Sequence, residues 1–149
     1  MKLGRREVLK IAAGAALVRP ALSGEPAAAA LPAGRFFDGR ELALFDLLSE
    51  AILPADDHSP GARAAGVAAF VDGALAEKDP KIPERAEERQ AARDHLKALD
   101  DLCRERHGAG LLEASHEQRL AVLTEAAEGE RDPKTAPSKA FKWVKQQTT

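Results

Sequence analysis

Asp38-Gly39-Arg40-Glu41-Leu42-Ala43-Leu44-Phe45-Asp46-Leu47-Leu48-Ser49-Glu50-Ala51-Ile52-Leu53-Pro54 is the stretch that decides the fold class. Asp38 stands three residues before Glu41, the spacing at which two side chains cap each other's backbone N–H groups at the start of a helix. Apolar residues then fall at 42, 44, 45, 47, 48, 52 and 53, which places them on one side of a 3.6-residue repeat. Pro54 ends the helix, because the residue before a proline is pushed out of the helical region.

The rest of the chain reads in the same way. Ser59-Pro60 opens a second helix, proline being suited to a first helical position, with Ala65, Ala69, Phe70, Val71, Ala74 and Leu75 as its apolar side. Lys78 to Pro83 is a loop. A long charged helix runs from Glu84 to His107 and carries Ala92, Leu96, Leu99, Leu102 and Cys103 on its apolar side, with Gly108 as its C-terminal cap. Ser115 to Gln118 repeats the capping pattern and opens a fourth helix bearing Leu120, Val122, Leu123, Ala126 and Ala127, stopped by Gly129. Glu130 to Pro137 is polar loop, and Ser138 caps a fifth helix with Phe141, Trp143 and Val144. No segment sustains apolar-polar alternation. The expectation is an all-α domain of about five helices over residues 36–149.

The first 30 residues differ in character. Arg5-Arg6 is followed by Glu7, Val8, Leu9 and Lys10, and then Ile11 to Val18 is apolar or small throughout. Eight such residues are too few to cross a bilayer of about 30 Å, but they suit the apolar region of an export leader. The run is alanine-rich and weakly hydrophobic, and with Arg5 and Arg6 intact it resembles a twin-arginine signal. Gly4 and Val8 depart from that pattern, where Ser or Thr and Phe are usual. Ala21 to Arg35, rich in Ala, Pro and Gly, reads as linker. A twin-arginine leader implies recognition by the twin-arginine translocase, which carries folded cargo, and a periplasmic destination.

Charge and composition narrow the function classes. The 149 residues carry 22 basic and 24 acidic side chains, of which five basic and two acidic lie in the first thirty. That leaves 17 basic and 22 acidic, a net −5, for the remainder, which gives no support to nucleic-acid binding. One cysteine, Cys103, excludes an internal disulfide and a multi-cysteine metal or c-type haem site. Its place on the apolar side of a helix reads as a buried structural thiol. His58, His95, His107 and His116 form no metal spacing, and no glycine-rich dinucleotide motif, phosphate-binding loop or nucleophile elbow is present. The chain itself therefore shows no catalytic residues, no metal ligands and no way to hold a flavin or nicotinamide. The densest polar group is the loop Pro54-Ala55-Asp56-Asp57-His58-Ser59-Pro60-Gly61, whose two prolines and Asx turns read as a rigid connection, with cation binding as its other reading. Phe141 and Trp143 read as core or as a docking edge.

Glu50-Ala51-Ile52-Leu53-Pro54-Ala55-Asp56-Asp57, Ser59-Pro60-Gly61-Ala62, Ala65-Gly66-Val67 and Phe70-Val71-Asp72, in this order behind a twin-arginine leader, resemble the gluconate 2-dehydrogenase subunit 3 family. Phe141 to Thr149 adds to the match. The resemblance implies a small, non-catalytic subunit of a membrane-associated sugar, sugar-acid or polyol dehydrogenase. It implies a large flavoprotein partner that holds FAD, and a multihaem cytochrome c that takes the electrons. It also implies an escort role, in which the small subunit supplies the export signal for a partner that crosses folded, and association with the inner membrane through the complex. Partner contacts are then expected at Pro54, Asp56, Asp57, Pro60, Gly61, Phe141 and Trp143, and transport recognition at Arg5 and Arg6. Family members usually continue beyond this point with a Gly-Tyr-Tyr tail, whereas this chain stops at Thr149 and has no tyrosine, so it reads as truncated or as a member in which the tail is dispensable. The alternative reading is a stand-alone periplasmic helical binding module without an oxidoreductase partner.

Overall fold

In the computed structural model residues 31–149 are described, and they form six α-helices and no strand. The helices are α1 (Gly39–Ile52), α2 (Gly61–Ala64), α3 (Val67–Ala76), α4 (Pro83–His107), α5 (His116–Glu128) and α6 (Ala136–Thr148). The leader, with Arg5 and Arg6, lies outside the described residues.

Both capping boxes form as the sequence predicts. Glu41 N donates to Asp38 Oδ1 at 2.8 Å and Asp38 N to Glu41 Oε2 at 3.0 Å. Gln118 N donates to Ser115 Oγ at 3.2 Å and Ser115 N to Gln118 Oε1 at 3.0 Å. Each reciprocal pair satisfies two backbone donors that the helix itself leaves open. Gly108, at φ +75°, closes α4 in the left-handed region.

Two boundaries differ from the expectation. The predicted second helix is two helices, because Gly66 at φ +73° breaks it after one turn and restarts it as α3. The last helix begins at Ala136, with Thr135 rather than Ser138 as its cap: Ser138 N donates to Thr135 Oγ1 at 3.3 Å. Pro137 falls in that first turn, where its missing N–H is not needed.

α4, α5 and α6 pack against one another, and α1 lies across α6 and α4. α2 and α3 cover the opposite side of α1. α1 is thus enclosed, which explains why Phe45 and Leu48 are fully buried. One apolar core joins the layers, running from Phe36 and Phe37 through α1 to Leu96, Leu99, Val122 and Val144.

The face of α3 is the main departure in side-chain placement. Its inward residues are Ala68, Val71, Asp72 and Leu75, while Ala65, Ala69, Phe70 and Ala74, assigned to the apolar side from sequence, are exposed. Asp72 is 4% exposed and accepts three backbone N–H groups from the segment before α1. These come from Arg35 to Oδ2 at 2.7 Å, and from Phe36 at 3.0 Å and Phe37 at 2.8 Å to Oδ1. The Phe36 ring is then held between guanidinium groups of α4, with Arg89 at 4.6 Å and Arg93 at 4.4 Å from its centroid. Arg93 Nη2 also donates to Phe36 O at 2.9 Å.

Candidate docking surface

The loop from Pro54 to Gly61 is organised by its own side chains and by α1. Asp56 Oδ1 accepts the N–H groups of His58 and Ser59, both at 2.7 Å, and Asp56 N donates to Ser59 O at 2.8 Å. Ala62 N donates back to Leu53 O at 2.9 Å and closes the loop. Glu50, in the last turn of α1, accepts Arg63 N at 2.7 Å and so caps α2 from outside. Gly61 has φ +82°, and a Cβ there would stand 2.7 Å from Ala55 N and 2.8 Å from Glu50 Oε1. Only glycine fits that turn. Gly61→Ala is therefore expected to lower stability by about 1–3 kcal/mol, read as a shift of the urea midpoint with unchanged slope.

Pro54, Asp56, Asp57 and Pro60 are exposed, whereas Gly61 is buried. Among the described residues no group of three or more His, Cys, Asp and Glu side chains is placed to hold a metal ion.

Trp143 and Phe141 are half-buried and pack on the core. Trp143 meets Phe45 edge-on at 5.7 Å and stacks on His95 at 5.3 Å between centroids. Trp143 thus packs on α1 and α4 while staying half-buried. Among the described residues the ring contacts of Trp143 are with Phe45 and His95, and none is with the loop.

His95 is half-buried against Trp143. Burial pushes its pKa below the usual histidine value, with nearby Asp94 opposing and Lys139 reinforcing the shift. The folded state therefore binds fewer protons than the unfolded chain, and stability is complete above about pH 6.5 and declines as pH falls below it. Thermal melts of wild type and of His95→Phe, which keeps a ring on Trp143, should diverge in slope between about pH 7 and 5, with the variant flatter.

Cys103 is fully buried on α4, and that burial raises its pKa, which keeps it a protonated thiol. Asp100, one turn earlier, accepts Leu111 N at 2.8 Å, Arg104 Nη2 at 3.0 Å and Arg40 Nη2 at 3.3 Å. Arg40 also pairs with Glu113 at 2.7 Å, which holds the Glu113 carboxyl below its ordinary range. This cluster ties α1, α4 and the loop after α4 together. A shallow groove of about 360 Å³ lies between α4 and the start of α6, lined by Asp94, Lys97, Asp101, Glu105 and Pro137 among others. Lys97 and Asp101 pair with each other there. Among the described residues no helix is long and apolar enough to cross a membrane.

The fold and these clusters define a class: an all-α domain whose buried and paired polar groups hold its own scaffold together. The chain belongs to the gluconate 2-dehydrogenase subunit 3 family, whose sequence profile matches residues 39–149. This is the family of the small subunit of that dehydrogenase, an accessory component of an oxidoreductase complex. No curated protein and no solved structure matches the chain.

Proposed function

We propose that this chain is the non-catalytic small subunit of a periplasmic FAD-dependent sugar, sugar-acid or polyol dehydrogenase. In this reading it binds the flavoprotein large subunit and carries it through the twin-arginine route. Hydride removal from the substrate alcohol takes place on the FAD of the partner, and a multihaem cytochrome c receives the electrons and keeps the complex at the inner membrane. The observation that carries the reading is the family match across 39–149, which spans all six helices. The leader pattern at Arg5-Arg6 supplies the export half of the proposal.

The test is the double substitution Arg5→Lys with Arg6→Lys, which keeps the charge and removes the guanidinium pair. Cell fractionation should find both this chain and the flavoprotein in the cytoplasm, with most periplasmic dehydrogenase activity lost. Normal export of the flavoprotein in that strain would remove the escort role.

A further inference from the structure

We propose that residues 31–37 form a clasp that closes only on the finished fold and makes the chain acceptable for export. Closed, it hides the Phe36 ring and the backbone N–H groups of residues 35–37. Open, it leaves them bare on the segment that follows the leader, and the precursor is held back in the cytoplasm. The inference rests on the reading above that the chain leaves by the twin-arginine route, which carries folded cargo.

Residues 31–35 read as linker in the sequence, yet three helices hold this segment. α3 contributes Asp72, whose carboxylate accepts the N–H groups of Arg35, Phe36 and Phe37. α4 contributes Arg89 and Arg93, whose guanidinium groups lie on the Phe36 ring, and Arg93 Nη2 also donates to Phe36 O at 2.9 Å. α1 contributes Phe45, on which Phe37 stacks, and Glu41, which pairs with Arg93 at 3.3 Å. Local bonding is slight by comparison: Gly34 N donates to Phe37 O at 2.9 Å and Leu31 N to Gly39 O at 3.0 Å. The hydrogen-bond partners on α3 are 35–37 residues away and the one on α4 is 57 away. Contacts over such separations form only after the intervening chain has been closed into place. The clasp therefore closes late, and its state reports whether α1, α3 and α4 are all assembled.

Three features suit it to that task. It is the described segment nearest the leader in sequence, so machinery that receives the leader meets it first. Its three N–H groups converge on one carboxylate, so they are released together when that contact is lost. Gly34 passes so close to the Asp72 carboxylate that a Cβ there would collide with it, which leaves the segment a single way to seat. Arg35 supplies a readout. Its guanidinium is exposed and pairs with Glu77 at 3.5 Å, while Asp72 holds the backbone N–H groups of Arg35 itself and of the next residue. Trypsin can therefore recognise the side chain but cuts after it only when the clasp opens.

The experiment combines two measurements on the full chain. One is limited trypsin digestion, with the cut after Arg35 followed by mass spectrometry. The other is cell fractionation of the same variants in a host that has the twin-arginine translocase. Gly34→Ala sets a methyl group against Asp72 and alters no helix. Its cut should come about tenfold faster than in wild type and its periplasmic fraction should fall about tenfold, with the helical circular dichroism spectrum kept. Asp72→Asn should move both readings in the same direction by less. Val122→Ala lowers stability from α5, which supplies none of the clasp's partners, and both readings should stay near wild type. Normal export of a fast-cut Gly34→Ala or Asp72→Asn would overturn the clasp's role while the export route stands. An unchanged cut in both would show that the segment is not held through Asp72. Equal retention of Val122→Ala would show that export follows overall stability instead. Wild type confined to the cytoplasm would remove the export reading itself.

Discussion

Asp72→Ala is expected to cost the domain about 4 kcal/mol, a large share of the total stability of a chain this size. The substitution leaves the N–H groups of Phe36 and Phe37 buried without an acceptor, and each such donor costs about 1–3 kcal/mol. The N–H of Arg35 is only partly buried, so water can replace the lost partner there. Relief by simple detachment is not available. Phe37 is part of the core and stacks on Phe45 at 6.1 Å, so releasing the segment exposes apolar surface as well. Asp72→Asn should be milder. Its remaining oxygen can serve Phe36 and Phe37, which sets the amide nitrogen against the Arg35 N–H alone, at a cost of about 1–2 kcal/mol. Urea denaturation should rank wild type above Asp72→Asn above Asp72→Ala. Hydrogen exchange should show the amides of residues 36 and 37 losing protection before those of α4. A melting temperature for Asp72→Ala within about 2 °C of wild type would show that the carboxylate does not anchor the segment.

Phe45→Ala is expected to lower stability by a similar amount, about 3–5 kcal/mol, or roughly 20 °C in melting temperature. Phe45 is fully buried at the centre of α1, and its ring links two parts of the fold that are far apart in sequence. On one side it stacks on Phe37, and on the other it meets the edge of Trp143 at 5.7 Å. Truncation leaves a cavity where α1 faces α6, and neighbouring side chains fixed in their own helices close it only in part. Trp143 is the one tryptophan in the chain, so its fluorescence reports the change without a label. Its emission should shift to the red in Phe45→Ala as water reaches the indole, and binding to the flavoprotein should persist at temperatures where the variant is folded. Unchanged emission would mean that the ring contact contributes little to holding Trp143.

Much of the scaffold is legible in the residues. Asp38 with Glu41, and Ser115 with Gln118, announce two helix starts through local hydrogen bonds that need no distant partner. The apolar sides of α1 and α4 are legible too, because charged residues on their other faces leave one choice of inward register. The Pro54–Gly61 loop is legible as a rigid turn, since Asp56 bonds within three residues of itself. The twin-arginine leader is legible as a pattern alone, and Arg5 and Arg6 remain a proposal.

α3 is where that reading stops. Nearly every residue from Ala64 to Ala76 is apolar or small, so its periodicity points to no particular face, and the sequence suggests 65, 69, 70 and 74 as readily as 68, 71 and 75. The useful signal was Asp72, whose carboxylate occupies the inward side only because three N–H groups from residues 35–37 await it there. Local chemistry therefore determined by itself the all-helical class, the caps at Asp38 and Ser115 and the connecting loop, since those rest on contacts a few residues apart. Which side of α3 is buried, that Trp143 packs on Phe45 and His95 and that Phe70 is exposed, were decided by the tertiary structure. Those outcomes depend on hydrogen bonds and ring contacts between segments dozens of residues apart, which no local pattern encodes.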